Sequence, residues 1–447
     1  MSLDIRDANG IFVPSAYDIA QTKSIALAEE EFHRQTGGGI FPGKTTPSPI
    51  VTVTCNAKSD PNRISAALDH LKSLGANAVI MRSTADVKFA IPKAIANKLL
   101  IYATDVPTAS VTGSQGMLFH SMSNLTTTLG PAVSYYIGQM EVKRKAEGPL
   151  AGGPGANLKV AYLSTSFAPW KVMSDYVAKS AIFNGKLANV QPDDFLRIET
   201  ADAQEDGVAI DFQRYAEKLV AFKPDIIVVI AGSQSLSEYI GRIEATWPNG
   251  VPRPHYIMGP EERDSNAMHA VVSGNEMLRK RMSGISPKTL QATDANLLAF
   301  RARYKARYLK ETVDDGGGES AYEAYYALAY ANIDAILNPT NVSQKITGDD
   351  LAASLKQLRS AENSVIIDIG PATITQGLER LRAREKVDLR GILSELEWDN
   401  QTLAPTIDAA QYCPIYVDGK FAFGQAFAWD YKKKATYAPF DPSGCNW

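Results

Sequence analysis

The chain is predicted to be an α/β protein of two Rossmann-like lobes, each with a mostly parallel sheet, and three observations carry this. Its 447 residues are too many for one small domain and suit two lobes with sizeable cores. The stretch from Asn77 to Thr108 reads strand, polar loop, helix, strand, polar loop, with Arg82-Ser83-Thr84 and Thr104-Asp105 at the two strand ends. The same grammar returns at Asp225 to Ala231, followed by Gly232-Ser233-Gln234-Ser235 and a helix. Strand alternating with helix predicts parallel pairing through right-handed crossovers. In open parallel sheets the carboxyl edge is where small ligands are held, so both sets of loops are expected to face one cleft.

The elements follow in order. Ala16 to Gln35 has helical apolar spacing, with Glu29, Glu30 and Glu31 near its end and Gly37-Gly-Gly39 as a stop. Pro49 to Cys55 reads as a strand. Ser59-Asp60-Pro61 opens a helix with a capping residue and a proline in the first turn. Ile64, Leu68 and Leu71 lie on its inner face, and Gly75 closes it. Asn124 to Glu147 is a long helix, and 148–157 is a glycine- and proline-rich loop. Leu158 to Leu163 is a strand, then the loop 164–170 and a helix to about Asn184. Phe212 to Phe222 is a helix leading into the Asp225 strand; Ser235 to Trp247 is helical, and Tyr256 to Gly259 is a short strand. Helices are expected at Ala292 to Leu309, Ser320 to Leu337, from Thr347-Gly-Asp-Asp350 onward, and at Ile374 to Ala383. Thr347 and Asp350 have capping-box spacing. The tail differs: Leu393 to Trp398, Tyr412 to Val417 and Lys420 to Phe423 read as short antiparallel strands, with Asp418-Gly419 as a hairpin turn.

Composition narrows the function classes. Hydrophobic residues at 45% and charged residues at 21% are those of a globular protein, and the net charge of -3 offers no footprint for nucleic acid or an anionic membrane. No apolar run is long enough to span a bilayer. Cys55, Cys413 and Cys445 have no metal-ligand spacing; Cys413 and Cys445 could pair in an oxidising compartment, and otherwise all are thiols. Met1-Ser2-Leu3 running into polar sequence is not a signal peptide, so either the protein is cytosolic or its export signal is absent from this sequence.

Several motifs invite chemistry. Gly38 to Thr45 fits the P-loop letter for letter, but it follows a helix and runs into Thr46-Pro47-Ser48-Pro49, which cannot start one. It is read as a helix-to-strand turn, and nucleotide hydrolysis is rejected. Ser83, Thr84 and Thr104 are hydroxyls at strand ends, suited to a carboxylate or to plain helix capping. Arg82 could pair an acidic ligand or lie in the lobe interface. Phe167 and Trp170 could cover a small ligand or pack on their own lobe. Ser233, Gln234 and Ser235 offer a polar loop. Glu261, Glu262 and Asp264 could answer an ammonium group or be solvated surface. The histidines at 33, 70, 120, 255 and 269 are scattered, and no nucleophile elbow or zinc motif is present. No catalytic constellation, cofactor or metal site is expected.

Taken together, the order of parts resembles the type I periplasmic binding proteins, in particular the branched-chain amino-acid (Leu/Ile/Val)-binding receptor family of ABC transporters. The residues carrying this are Ala26 to Phe32 with Gly37 to Lys44, Asn77 to Thr84, Lys223 to Val229, Ala321 to Tyr330, Thr347 to Leu355 and Gly391 to Asp399. The resemblance spans nearly the whole chain and rests on the order of the motifs. It implies two lobes joined by three crossovers that close on a ligand like a hinge. By position, Ser83, Thr84, Ala103 and Thr104 would hold an amino acid from lobe one; Phe167, Ser233 and Glu261 would contribute from lobe two. Arg82 stands where the family has a small residue, and the tyrosine expected near Phe167 is absent. Ile11 to Ser15 is the candidate for the family's first strand, and the Ile374 helix is an addition.

These readings converge on an extracytoplasmic solute-binding protein, periplasmic or lipid-anchored, monomeric and without enzymatic activity. It would pass a small polar ligand to a membrane permease. Lobe one is expected over 4–123 and 256–361, lobe two over 124–255 and 362–447. A ligand-sensing receptor domain of the same fold and a cytosolic α/β enzyme are the alternatives.

Overall fold

The computed structural model describes residues 4–6, 12–14, 16–37, 49–104, 106, 113–122, 125–126, 128–201, 208–232, 234–287, 295–308, 318–338, 345–359, 361–393, 395–405, 407–430, 435–436 and 445. The chain forms two compact units, Met1–Asn124 with Gln291–Ile407, and Leu125–Leu290 with Asp408–Trp447. Among the described residues, no helix is long and apolar enough to cross a membrane.

In unit 1, strands Ala78–Met81, Leu100–Ala103 and Leu118–His120 pair in parallel, in that order. Side chains alternate along the middle strand. Ile101 and Ala103 meet Ile64 and Leu68 of helix Pro61–Ser73 and Val87, Ala90 and Ile91 of helix Thr84–Asn97. Leu100 and Tyr102 face a core built on helices Ala16–Thr36 and Gly318–Leu337. The latter is buried on all sides, consistent with its Ala/Tyr composition. Local chemistry sets the helix starts. Asp60 accepts from the Arg63 amide at 2.9 Å with Pro61 in the first turn, and Thr347 and Asp350 cap each other reciprocally ahead of helix Gly348–Gln357.

Unit 2 has an eight-stranded sheet. Phe195–Thr200, Val160–Thr165, Ile226–Ile230, His255–Met258 and Met282–Pro287 run parallel. Ala409–Val417 then joins antiparallel, followed by Lys420–Asp430 and Ala435–Thr436. Ile226, Val228 and Ile230 point into a core with helix Leu129–Ala146, while Ile227 and Val229 point into the opposite core, as a doubly covered parallel strand requires. Asp418 and Gly419 both have positive φ, 51° and 74°, and join the last two long strands in a two-residue turn. Cys413 and Cys445 are joined by a disulfide.

Gly284 stands directly opposite Tyr412 on adjacent strands, and a Cβ there would come within 2.3 Å of the phenol's Cζ. The bare backbone leaves room for the ring, whose hydroxyl donates to the Gly259 carbonyl at 2.6 Å. Gly284→Ala is therefore expected to cost about 1–3 kcal/mol through overpacking, measurable as a lowered thermal midpoint.

Five expectations are corrected. Segment 256–361 does not belong wholly with lobe one: His255–Met258 and Met282–Pro287 are inner strands of the unit 2 sheet. Segment 362–407 does not join lobe two, because Ile367, Leu378, Leu381, Val387 and Leu389 pack into the unit 1 core. Pro49 to Cys55 is not a strand. Its backbone instead meets helix side chains, the Ile50 carbonyl at 2.6 Å from His33 Nε2 and the Thr52 amide at 3.2 Å from Glu29 Oε2, leaving Val51 and Val53 exposed. Leu393 to Trp398 is interrupted by Leu396 at φ 48° and, among the described residues, keeps a single bridge, Trp398 to Pro405. Phe12–Pro14 pairs antiparallel with Asp4–Arg6 rather than entering the parallel sheet of unit 1. The P-loop look-alike at 38–45 lies outside the described residues.

Candidate functional site

In unit 1, register puts Met81 beside Ala103, so the loops after both strands emerge side by side. Ser83 is the N-cap of helix Thr84–Asn97, its hydroxyl 3.4 Å from the Asp86 amide. A hydroxyl accepting from an amide retains its proton for an acceptor elsewhere. Thr84 is half-buried in the first helical turn, where backbone amides have no intrahelical partner. Ala103 is buried, and its carbonyl accepts from the Ser121 amide at 2.9 Å. Thr104 is fully buried and committed: its hydroxyl donates to Gln21 Oε1 at 2.8 Å and lies 3.3 Å from the Met81 carbonyl. Arg82 Nη1 stands 3.6 Å from Asp18 Oδ2, whose carboxylate is buried, so the arginine has an anion of its own. His120 ends the third strand, and burial lowers its pKa to about 4 although Nδ1 lies 2.8 Å from the Val106 carbonyl. It is neutral at pH 7 and supplies no cation. Asp105 and Thr108 lie outside the described residues.

In unit 2, three carboxyl strand ends adjoin, because Ile230 stands beside Ser164 and Val229 beside Met258. Phe167 is the N-cap residue of helix Ala168–Ser180 and half-buried. Its ring meets Trp170 edge-on at 5.9 Å. Trp170 itself is buried in the core, which makes it the support beneath Phe167 rather than a second exposed ring. Gln234 is exposed, and Ser233 lies outside the described residues. Gly232 has φ +85°, a conformation that favours glycine, and a Cβ there would stand 3.5 Å from Glu261 Oε2. The end of the Ile226–Ile230 strand and the loop after His255–Met258 therefore meet at Glu261, which is exposed.

The three neighbouring acids have three different fates. Asp264 caps helix Ser265–Val272 by accepting from Ala267 N at 2.9 Å. Glu262 is wholly buried and accepts from the Ala231 amide at 2.6 Å and the Ser235 hydroxyl at 3.2 Å. Glu261 is the exposed residue of the three, with Glu262 buried and Asp264 half-buried. The turn at Pro260 sets this, with the Arg263 amide 3.3 Å from the Pro260 carbonyl. Sequence reading missed Gln21 and Asp18, which lie inside a long helix with no local sign of what they face. It also missed Ser235 as a partner of Glu262. Among the described residues, no group of three or more His, Cys, Asp or Glu side chains is placed to hold a metal ion.

No protein-family model and no curated protein matches the chain. Solved structures do. The branched-chain amino acid transporter substrate-binding protein LivJ of Streptococcus pneumoniae, in complex with isoleucine, is 17% identical with a TM-score of 0.60, covering 92% of this chain and 94% of its own. An ABC-transporter solute-binding protein of Rhodopseudomonas palustris BisB5, in complex with 3,4-dihydroxybenzoic acid, is 12% identical with a TM-score of 0.59, covering 93% and 95%. The leucine-binding protein LivK of Thermotoga maritima is 13% identical with a TM-score of 0.55, covering 90% and 93%. The fold is thus the α/β fold of the type I periplasmic binding proteins, matched along nearly the full length of each chain.

Proposed function

We propose that this chain is an extracytoplasmic solute-binding protein without enzymatic activity. It captures a small polar ligand, an amino acid or a related compound, and delivers it to the membrane permease of an ABC importer. The observation that carries the amino-acid reading is Glu261, an exposed carboxylate at adjoining carboxyl strand ends, where an ammonium group would be answered. In unit 2 Phe167, at the start of helix Ala168–Ser180, would cover the ligand's side chain; in unit 1 Ser83 and the first-turn amides of helix Thr84–Asn97 are donors suited to a carboxylate. Thr104 and Ala103 would shape this edge rather than bond the ligand, since their polar groups are engaged internally. The Cys413–Cys445 disulfide supports export, because disulfides persist in oxidising compartments. Alkylation of the denatured, unreduced protein should then label Cys55 alone; labelling of all three cysteines would return the protein to a reducing compartment.

Neighbours that hold benzoates favour a second reading, an aromatic acid whose ring lies on Phe167. Glu261 separates the two, since it attracts an ammonium group and repels an anion that lacks one. A thermal-shift panel of amino acids and benzoates, followed by calorimetry, tests this. For an amino acid, Glu261→Gln should weaken binding by about 10-fold or more, the value of a hydrogen bond to a charged group. A benzoate bound equally well by Glu261→Gln would establish the second reading. Silence across both classes would sink both.

A further inference from the structure

We propose that Glu262 is a positioning residue for the ammonium subsite: its buried side chain ties the end of the Ile226–Ile230 strand to the turn at Pro260, and this sets where the Glu261 carboxylate stands. The effect on ligand affinity rests on the function proposed above; the hold itself does not.

The hold runs through one oxygen. The strand ends at Ile230, and the next amide, that of Ala231, passes to Glu262 Oε1 at 2.6 Å. The same Oε1 accepts from the Ser235 hydroxyl at 3.2 Å, and the Ser235 amide donates to the Gly232 carbonyl at 2.9 Å. Packing keeps the side chain in place. Glu262 is wholly buried, and a Cβ on Gly259 would stand 3.0 Å from both Glu262 Oε2 and Ile230 Cγ2.

Glu261 is bracketed by fixed points. Before it, the Gly259 amide donates to the Val229 carbonyl at 3.0 Å, and the Gly259 carbonyl accepts from the Tyr412 hydroxyl at 2.6 Å. After it comes Glu262 itself. Across from it, a Cβ on Gly232 would stand 3.5 Å from Glu261 Oε2, at a backbone φ of +85°. Gly232 lies between the two groups that Glu262 binds, Ala231 and Ser235. The segment that Glu262 holds is therefore the one that the Glu261 carboxylate lies against. An acceptor fixed in advance binds an ammonium group without the cost of ordering it, so a support acts on affinity without touching the ligand.

The role asks for an acceptor at the right reach. Glu262→Gln keeps an oxygen there. Glu262→Met keeps the length and loses the acceptor, and Glu262→Asp keeps the acceptor one methylene short.

A double-mutant cycle in the full chain tests this, read by calorimetry with the amino acid that shifts the thermal midpoint most in the panel above. Glu262→Met should weaken binding by about 10-fold in the native background and by less than about twofold when Glu261→Gln is already present, because it acts through Glu261. Glu262→Gln should bind nearly as the native protein does. An equal loss in both backgrounds would mean general loosening and would overturn the proposal, as would native affinity in Glu262→Met. Should Glu262→Met fail to fold, Glu262→Asp takes its place in the cycle with the same two readings. Hydrogen exchange without ligand separates this from failure of the proposed function. The Ala231 amide should lose about tenfold in protection in Glu262→Met and keep it in Glu262→Gln. That pattern in a chain that binds no amino acid would discard the function while the hold stands. Native protection in Glu262→Met, with amino-acid binding that still depends on Glu261, would overturn the hold and leave the function.

Discussion

Replacing Asp225 with alanine is expected to destabilise the protein by about 3–5 kcal/mol, because it leaves a buried arginine without its counter-charge. Asp225 is wholly buried at the head of the Ile226–Ile230 strand, and its Oδ1 stands 3.3 Å from Arg144 Nη2, whose side chain is 4% exposed. The same carboxylate accepts from Ala151 N at 2.8 Å and Lys159 N at 3.1 Å, so it also organises the loop that precedes strand Val160–Thr165. Arg144 also donates to the Pro149 carbonyl at 2.9 Å, which softens the loss without answering the charge. Asp225→Asn retains acceptor capacity for an amide and should lose less. A joint Arg144→Met, Asp225→Leu replacement removes both charges and should recover part of the stability, held back by the two stranded amides. Thermal unfolding reads all three: the alanine variant should fall by about 10 °C. A fall of a degree or two would mean that water, not Asp225, satisfies Arg144.

That pair also marks where sequence reading stops. Periodicity and caps are local, and they were legible: Asp60-Pro61, the Thr347 and Asp350 capping box, the Asp418-Gly419 hairpin and the apolar Ile226–Ile230 strand all stand as read. The lobe return points were not legible. Where a parallel strand pairs depends on a crossover, and nothing in His255 to Met258 says that it lies beside Ile226 rather than in the other unit. Pro49 to Cys55 failed for the opposite reason. Its residues suit a strand, but Glu29 and His33 take backbone groups that a neighbouring strand would need.

The site divides in the same way. Strand-end loops could be found from the switch between apolar strand and polar loop, and Ser83 and Phe167 both stand at helix starts in such loops. What each side chain does there could not be found. Thr104 reads as a free hydroxyl until Gln21, 83 residues earlier, takes it up. Glu261 and Glu262 read as equivalent acids until the turn at Pro260 sends one outward and the other into the core.

Glu31 is the strongest case of a residue whose sequence neighbours conceal its role, and its replacement should be as damaging as that of Asp225. It stands in a run of three glutamates near the end of a helix. Yet it is nearly buried and binds three side chains from two other helices. Its Oε1 accepts from Arg303 Nε at 2.7 Å, and its Oε2 accepts from the hydroxyls of Tyr322 at 2.5 Å and Tyr326 at 3.0 Å. Arg303 also donates to the Tyr322 hydroxyl at 3.0 Å, closing the network. Burial, and then the Glu31 charge, raise the Tyr322 phenol, so it stays protonated as a donor at any ordinary pH. Next to it, Phe32 meets the rings of Tyr326 and Tyr330 edge-on at 5.9 and 5.8 Å, which fixes the helix face that presents Glu31. Glu31→Leu fills the volume but strands two phenols and a guanidinium, at a cost of about 3–5 kcal/mol. Glu31→Gln keeps one acceptor oxygen and should fall between the native protein and the leucine variant. Glu30→Leu, one position along on the exposed side, should change stability by less than about 1 kcal/mol, since its ion pairs with Arg34 and Arg307 are solvated. Equal losses at positions 30 and 31 in thermal unfolding would overturn this account, because burial and the two phenol hydrogen bonds set Glu31 apart from its neighbour.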